Sequence, residues 1–211
     1  IDYNIRDVDI VDRLDDKLDL ISLALTMAYN SGANYIDILG TVSIWDTIIY
    51  RDLSLQKIVI PPKQNTGTGS YPGGYVKEPQ VGKHDWICSF DLASLYPSII
   101  MQYNMSPETL HPHSIKDVNV YNVMHDKVQN KKDDVSLAVN GSQYYTEKEG
   151  LMPRVIGEMY EGRVGMKNRM INAQKELETI DPHNKQEMYR VERDIQIAKN
   201  QQMAIKILLN S

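Results

Sequence analysis

Residues 89–100 have the sequence Ser89-Phe90-Asp91-Leu92-Ala93-Ser94-Leu95-Tyr96-Pro97-Ser98-Ile99-Ile100. They continue a short apolar run that begins at Trp86 and predicts a β-strand ending at Phe90. Leu95 to Met101 then show the apolar spacing of a helix. A strand, a tight turn and a helix are therefore predicted, with Asp91 at the end of the strand.

This placement gives Asp91 a chemical role. A strand end holds a carboxylate rigidly, and phosphoryl transfer with two metal ions needs a carboxylate that can bridge them. At the start of the following helix, the N–H groups of Ser94, Leu95 and Tyr96 are free to bind an anion such as a triphosphate. Spacing alone leaves a second interpretation open, because an Asp before a helix commonly serves only as its cap.

Two long helices are predicted near the C-terminal end, over residues 153–178 and 185–210. The segment 181–184 joins them, and Pro182 breaks the helical pattern there. A connection this short favours antiparallel packing of the two helices.

Each of these helices carries a polar face. Arg163 and Lys167 are four residues apart on the first helix, and Gln202, Lys206 and Asn210 repeat at four on the second. The two faces can converge on one anion. The alternative is a charged face that is simply solvated.

The remaining regions predict shorter elements. Residues 12–30 have the spacing of a helix with one buried stripe, and residues 34–60 favour β-prone or mixed elements. Residues 61–74 are rich in Pro, Gly, Thr and Ser and form the best candidate for a domain boundary. Residues 111–150 are polar and contain turn signals on either side of Tyr144-Tyr145, which predicts a hairpin.

Composition restricts the class of protein. The 211 residues contain no apolar run of the roughly 20 residues needed to cross a bilayer, and neither end has the pattern of a natural terminus, so we expect a piece of a longer protein. The single cysteine, Cys88, excludes an internal disulfide and is interpreted as part of a buried strand.

Charge is distributed unevenly along the chain. The net charge is −5, but residues 1–62 carry 5 Lys and Arg against 10 Asp and Glu, whereas residues 154–211 carry 10 against 8. Cationic character is therefore concentrated at the C-terminal end. This distribution is compatible with a protein that uses carboxylates for metal ions and a local basic face for phosphates.

Three motifs, in order, resemble those of family B DNA polymerases. The stretch from Asp91 to Ser98 is similar to motif A of that family, and the stretch from Lys206 to Ser211 is similar to the start of motif B. Arg163 and Lys167 lie 10 and 14 residues after Pro153, where such enzymes place residues that bind the incoming triphosphate.

Further similarities extend toward the N-terminus. The element Tyr71-Pro72-Gly73-Gly74 resembles one that holds template DNA between the exonuclease and polymerase domains. Tyr3 to Asp7 resembles the third exonuclease motif, in which the Asp is a metal ligand. The short sequences at 45–46, 106–109 and 144–145 resemble the T-even-like bacteriophage branch.

The resemblance implies a mixed α/β (α+β) chain in three parts. Residues 1–62 correspond to the C-terminal end of a 3′–5′ exonuclease domain with connecting helices. Residues 63–153 correspond to the front half of a palm domain with an antiparallel sheet. Residues 154–211 correspond to two long antiparallel fingers helices, up to motif B.

The resemblance also implies a reaction, the addition of a deoxynucleoside triphosphate to a primer 3′-OH with two Mg²⁺ ions. Its implied metal ligands are Asp91 and the Leu92 carbonyl, with Asp7 in the exonuclease. Implied contacts to the incoming nucleotide come from Ser94, Leu95, Tyr96, Arg163, Lys167, Lys206 and Asn210, and implied contacts to DNA come from Tyr71, Gly73 and Gly74.

The implied partners are primer–template DNA and the nucleotide, with a sliding clamp and other replication proteins bound through other regions. No membrane is expected, and the implied location is the cytoplasm of an infected bacterial host. The alternatives are an archaeal-type or protein-primed member of the same family, and a DNA-binding or structural module without catalysis.

Overall fold

The computed structural model describes residues 2–60, 62, 76–125, 127–128 and 134–210. The helices are α1 (Asp2–Leu18), α2 (Leu20–Ser31), α3 (Thr41–Leu55), α4 (Leu95–Gln102), α5 (Val120–Met124), α6 (Leu151–Thr179) and α7 (Lys185–Asn210), with 3₁₀ turns at Asp37–Leu39 and Pro107–Thr109. The strands are β1 (Val135–Leu137) and β2 (Gln143–Tyr145).

The described part of the chain is mostly helical with a small two-stranded sheet, so the expected mixed class is confirmed at this coarse level. β1 and β2 pair antiparallel, with Val135 opposite Tyr145, as expected for a hairpin that includes Tyr144-Tyr145. The assignment of parts to palm and fingers, and the domain boundaries at 62 and 153, stay predictions. None of the described helices combines the length and apolar character of a membrane span.

The single helix predicted over residues 12–30 is wrong, because the chain breaks at Asp19. Asp19 adopts a left-handed conformation with φ of 54°, which ends α1 and lets α2 start in a new direction. The Asp15 carboxylate accepts a hydrogen bond from the Ile21 N–H at 3.0 Å and so satisfies one free donor at the start of α2.

The β-prone elements predicted over residues 34–60 are also wrong, since this region forms a 3₁₀ turn followed by α3. Its β-branched residues favour strands only when they can pack on a pleated surface. Ile44 and Ile48 are instead four residues apart and both are buried, so burial along one helical face outweighs local preference.

The strand predicted over residues 86–90 does not form either. Trp86 has φ of 59° and is fully exposed, and Phe90 is 92% exposed. Cys88 is exposed as well, so its interpretation as a buried residue is wrong. A strand needs a neighbour for its backbone groups, and the sheet in the described ranges consists of β1 and β2 without residues 86–90. The connection predicted at 61–74 lies outside the described residues, apart from Pro62.

The two long C-terminal helices are confirmed. α6 and α7 pack antiparallel, with Arg169 Nε donating to Asp194 Oδ2 at 3.2 Å and Arg190 donating to Glu176 at 2.9 Å. At the other end of the pair, a Cβ added at Gly162 would lie 4.0 Å from Ile205 Cδ1.

One hydrophobic cluster joins the N-terminal helices to this pair. Its buried members come from α2, the first 3₁₀ turn, α3, α6 and α7, and they are Met27, Ile38, Ile44, Ile48, Val155, Ala204 and Leu208. An ion pair between Arg154 and Asp52 at 2.6 Å links α6 to α3 beside this cluster. The hydrogen bond from Arg154 to Asp52 is the main reason that the pKa of this guanidinium is raised.

The N-terminus of α6 is held by the loop that follows α4. Asn104 donates from its amide nitrogen to the carbonyls of Tyr145 and Lys148 at 2.6 and 2.8 Å, and its amide oxygen accepts from the Gly150 N–H at 2.8 Å. A Cβ added at Gly150 would lie 2.7 Å from Ser106 Cβ, so only glycine fits this approach. Asn104 therefore joins the end of the hairpin to the beginning of α6.

Glu108 completes this cap. Its carboxylate accepts hydrogen bonds from the Leu151 N–H at 2.5 Å and from the Ser106 hydroxyl at 2.6 Å. Burial of the carboxyl raises its pKa, but these hydrogen bonds outweigh burial and leave the pKa of Glu108 below its usual 4.5.

We expect Glu108→Gln to lower the free energy of unfolding by about 1 kcal/mol at neutral pH, which is typical for loss of a helix cap. Because the folded-state pKa is lowered, the contribution of the carboxylate is present above about pH 4.5 and is lost as pH falls through the folded value. Thermal unfolding at a series of pH values should therefore show a Tm difference that shrinks in acid. Glu147→Gln, which removes an exposed carboxylate nearby, is the control, and a pH-independent difference would contradict the assignment.

Candidate anion-binding site after Asp91

The site begins at the turn between Asp91 and α4. Asp91 and Leu92 are exposed, and Ser94 adopts a left-handed conformation with φ of 53° immediately before the helix. The first hydrogen bond within α4 runs from the Ser98 N–H to the Ser94 carbonyl at 3.0 Å. Leu95 and Tyr96 therefore begin the helix with N–H groups that have no partner within it, and Pro97 has no N–H to leave unsatisfied.

The position of α4 is set by its packing on α6. Pro97 is almost completely buried, and Met101 Sδ lies 3.6 Å from where a Cβ of Gly157 would be. α4 also contacts α7. The free N–H groups at the start of α4 are thus fixed relative to the α6–α7 pair.

Arg163 of α6 reaches this turn. Its Nη1 lies 3.4 Å from Ser94 Oγ, a long hydrogen bond, and its Nε is buried and has no hydrogen-bond partner among the described residues. A guanidinium in such a position retains donors for an additional acceptor. The structure therefore brings together two residues that the sequence analysis had placed in the same site, Ser94 and Arg163.

The other predicted cations are placed less closely. Lys167 is exposed one helical turn after Arg163, and Lys206 and Asn210 are exposed four residues apart on α7. The side-chain contacts of the described residues do not join these three to Ser94. Tyr96 is 71% exposed beside the turn, which leaves its ring free to contact a ligand.

The residues after Asp91 fit Mg²⁺ only in part. A carboxylate and a backbone carbonyl are the hard oxygen ligands that this ion prefers, but a two-ion site needs a second carboxylate besides the one that bridges the ions. Within the described ranges, no group of three or more His, Cys, Asp or Glu side chains is arranged to hold a metal. Asp7 is exposed on α1, whereas Tyr71, Gly73 and Gly74 lie outside the described residues.

Sequence reasoning missed two features of this region. The left-handed backbone at Ser94 has no clear local signal, because Ser is not a residue that favours this conformation. The contact of the Ser94 side chain with Arg163 joins residues 69 positions apart, so periodicity could not predict it.

Free N–H groups at a helix start with an arginine directed toward them are features that phosphate-binding sites use. The sequence model of DNA polymerase family B matches residues 43–211. The chain belongs to this family.

Curated relatives agree with this assignment. The DNA-directed DNA polymerase of Escherichia phage RB69 is 36% identical over 180 residues, which cover 85% of this chain and 20% of that protein. The corresponding protein of Enterobacteria phage T4 is 33% identical over 180 residues, with the same coverage of 85% and 20%. DNA polymerase 1 of Pyrococcus abyssi is 35% identical over 142 residues, which cover 67% of this chain and 14% of that protein.

The chain thus spans about a fifth of the length of the phage relatives that it matches. Those relatives are matched over a larger share of the chain than the archaeal protein, in agreement with the predicted T-even-like branch. The resemblance inferred from the motifs is confirmed.

Proposed function

We propose that this chain is part of a DNA-directed DNA polymerase that adds deoxynucleoside triphosphates to a primer 3′-OH. The observation that carries the proposal is the contact of Arg163 with Ser94 at the free start of α4, within the motif that begins at Asp91. Membership of family B supports the same assignment.

In this proposal the triphosphate binds between the start of α4 and the basic faces of α6 and α7. The N–H groups of Leu95 and Tyr96 donate to phosphate oxygens, and Arg163 exchanges its long hydrogen bond with Ser94 for a stronger, charge-assisted one. Lys167, Lys206 and Asn210 approach from their exposed positions. The cations among these groups neutralise the charge that develops on the phosphates during transfer.

Asp91 and the Leu92 carbonyl would hold Mg²⁺, and a second carboxylate from another part of the parent protein would complete the two-ion site. When bound, the ions polarise the phosphate and activate the primer hydroxyl. Asp7 would hold a metal ion in a 3′–5′ exonuclease domain, and Tyr71, Gly73 and Gly74 would contact template DNA.

The wider context follows from the family. The partners would be primer–template DNA and deoxynucleotides, with a sliding clamp bound through other regions. The work of such an enzyme is viral DNA replication in the cytoplasm of an infected bacterium. An archaeal-type or protein-primed polymerase is less favoured, because the archaeal relative matches a smaller share of the chain.

The alternative from a different class is a DNA-binding or structural module without catalysis. It would use the basic faces of α6 and α7 only for phosphate backbone contacts, which are largely independent of nucleotide identity. The two functions differ in whether a single incoming nucleotide is bound, and the tests of Lys206 and Tyr96 below separate them.

The 211-residue chain by itself should not extend primers. Two-metal catalysis takes carboxylates from two places, and only Asp91 of this chain is assigned to the polymerase site. The measurement is primer extension by the purified chain with Mg²⁺. Extension that disappears in Asp91→Ala would show that the chain contains a complete site.

In the full-length parent, Lys206→Ala should lower kcat/KM for dNTP by at least about tenfold, since it removes a point charge beside the triphosphate. Lys206→Arg should lower kcat/KM nearly as much as Lys206→Ala does. Lys185→Ala, at the opposite end of α7, is the matched control and should have no effect. Kinetics of Lys206→Ala within about twofold of the parent would instead indicate a merely solvated face.

Tyr96 should exclude ribonucleotides by occupying the space of a 2′-OH. Tyr96→Val in the parent should raise the relative use of CTP over dCTP by at least about tenfold, or about 1.4 kcal/mol of discrimination, with a smaller loss for dCTP. A tyrosine that only packs the helix would weaken both substrates equally. The ratio of kcat/KM values for dCTP and CTP on one template decides between these outcomes, and Tyr189→Val serves as the control.

A further inference from the structure

Asp19 joins the beginning of the chain to α7 by side-chain hydrogen bonds. Its Oδ2 accepts from Gln196 Nε2 at 2.7 Å and from Asn200 Nδ2 at 2.5 Å. Gln196 Nε2 is also 3.3 Å from Asn200 Oδ1, so the two amides form one connected group around the carboxylate. The two amide residues lie 177 and 181 positions after Asp19 in the sequence.

The backbone presents this carboxylate to α7. Asp19 lies in a left-handed conformation between α1 and α2, which is a conformation that Asp and Asn adopt more readily than most residues. Hydrogen bonds from Ser22, Asn200 and Gln196 lower the pKa of Asp19, in that order of importance. The side chain is therefore ionised at neutral pH and accepts charge-assisted hydrogen bonds.

The contact lies on the part of α7 that precedes Lys206 and Asn210. Asn200 is six residues before Lys206, which is about 9 Å along a helix. A helix transmits a displacement along its axis because its backbone hydrogen bonds keep it stiff over such a length. Holding α7 at Asn200 therefore restricts where Lys206 and Asn210 can be.

We propose that Asp19 is a positioning residue for α7 and holds Lys206 and Asn210 in the place where they meet the incoming triphosphate. This inference rests on the proposed function. Since Asp19 directly follows α1, which carries Asp7, the same contact joins the segment assigned to the exonuclease to the helix assigned to nucleotide binding.

The expected kinetic signature differs from that of removing a phosphate ligand. Without the contact, α7 still carries both ligands but occupies the competent position for a smaller fraction of the time. The apparent affinity for nucleotide falls in proportion to the competent fraction, whereas turnover at saturating nucleotide is retained. KM should therefore rise while kcat changes little.

The experiment exchanges the carboxylate of Asp19 and the amide of Asn200 between the two positions in the full-length parent protein. Asn200→Asp places a second carboxylate against Asp19 and should raise KM for dNTP at least about fivefold, with kcat changed less than about threefold. Asp19→Asn keeps a side chain suited to the left-handed backbone and removes the charge, so it should raise KM by a smaller factor. In the double variant, the amide introduced at position 19 can donate to the carboxylate introduced at position 200, and KM should return to within about twofold of the parent.

Matched controls make the same kind of charge change on α1, which adjoins Asp19, and on α7, which carries Asn200. Asp16→Asn removes an exposed carboxylate from α1, and Gln186→Glu adds one to the exposed first turn of α7. Both should leave KM unchanged. Tm is measured for every variant, so that a general loss of stability is separated from a change in KM.

A KM that stays at the parental value in Asn200→Asp, or a double variant no better than that single variant, would overturn the proposal. The proposal would also be overturned if Asn200→Asp and Asp19→Asn lowered Tm by the same amount and left KM unchanged. Asp19 would then have only a structural role. An inactive parent would instead refute the proposed polymerase function, and the positioning role would fall with it.

Discussion

The antiparallel packing of α6 against α7 is the interaction on which the other parts of the structure depend. Small residues allow the approach, since Ala198 and Ala204 are completely buried and Gly162 faces Ile205. The hydrophobic cluster that includes Leu208 then attaches α2 and α3 to the base of this pair. Because the two helices approach closely, the proposed site can include basic residues from both.

The start of α6 needs separate support because its first N–H groups have no partners within the helix. The loop that follows α4 supplies them through the amide oxygen of Asn104, the carboxylate of Glu108 and the hydroxyl of Ser106. Because this loop directly follows α4, the same short segment caps α6 and positions the turn after Asp91. The hydrogen bonds that cap the start of α6 thus also help to position α4 and the turn after Asp91.

Part of the candidate site could be predicted from sequence because its residues lie in short, specific motifs, whereas the roles of these residues stay predictions. The segment from Asp91 to Ser98 and the pair Arg163 and Lys167 were recognised with the correct helices, and α4 formed as expected. Prediction from local patterns was wrong where the same stretch could form either a strand or a different structure. The β-branched residues of 34–60 became helical because Ile44 and Ile48 bury one face, and residues 86–90 lack a strand partner among the described residues.

The sequence by itself determined the two long helices, the family and the chemical types of side chain available near Asp91, since these depend on periodicity and on motifs of adjacent residues. Tertiary structure alone decided that Arg163 meets Ser94 and that Asp19 meets Asn200. Both contacts join residues far apart in the chain and involve left-handed residues, which the periodicity of the sequence does not predict. Such contacts depend on how helices pack in space, and helix packing is set by buried surfaces contributed by the whole chain.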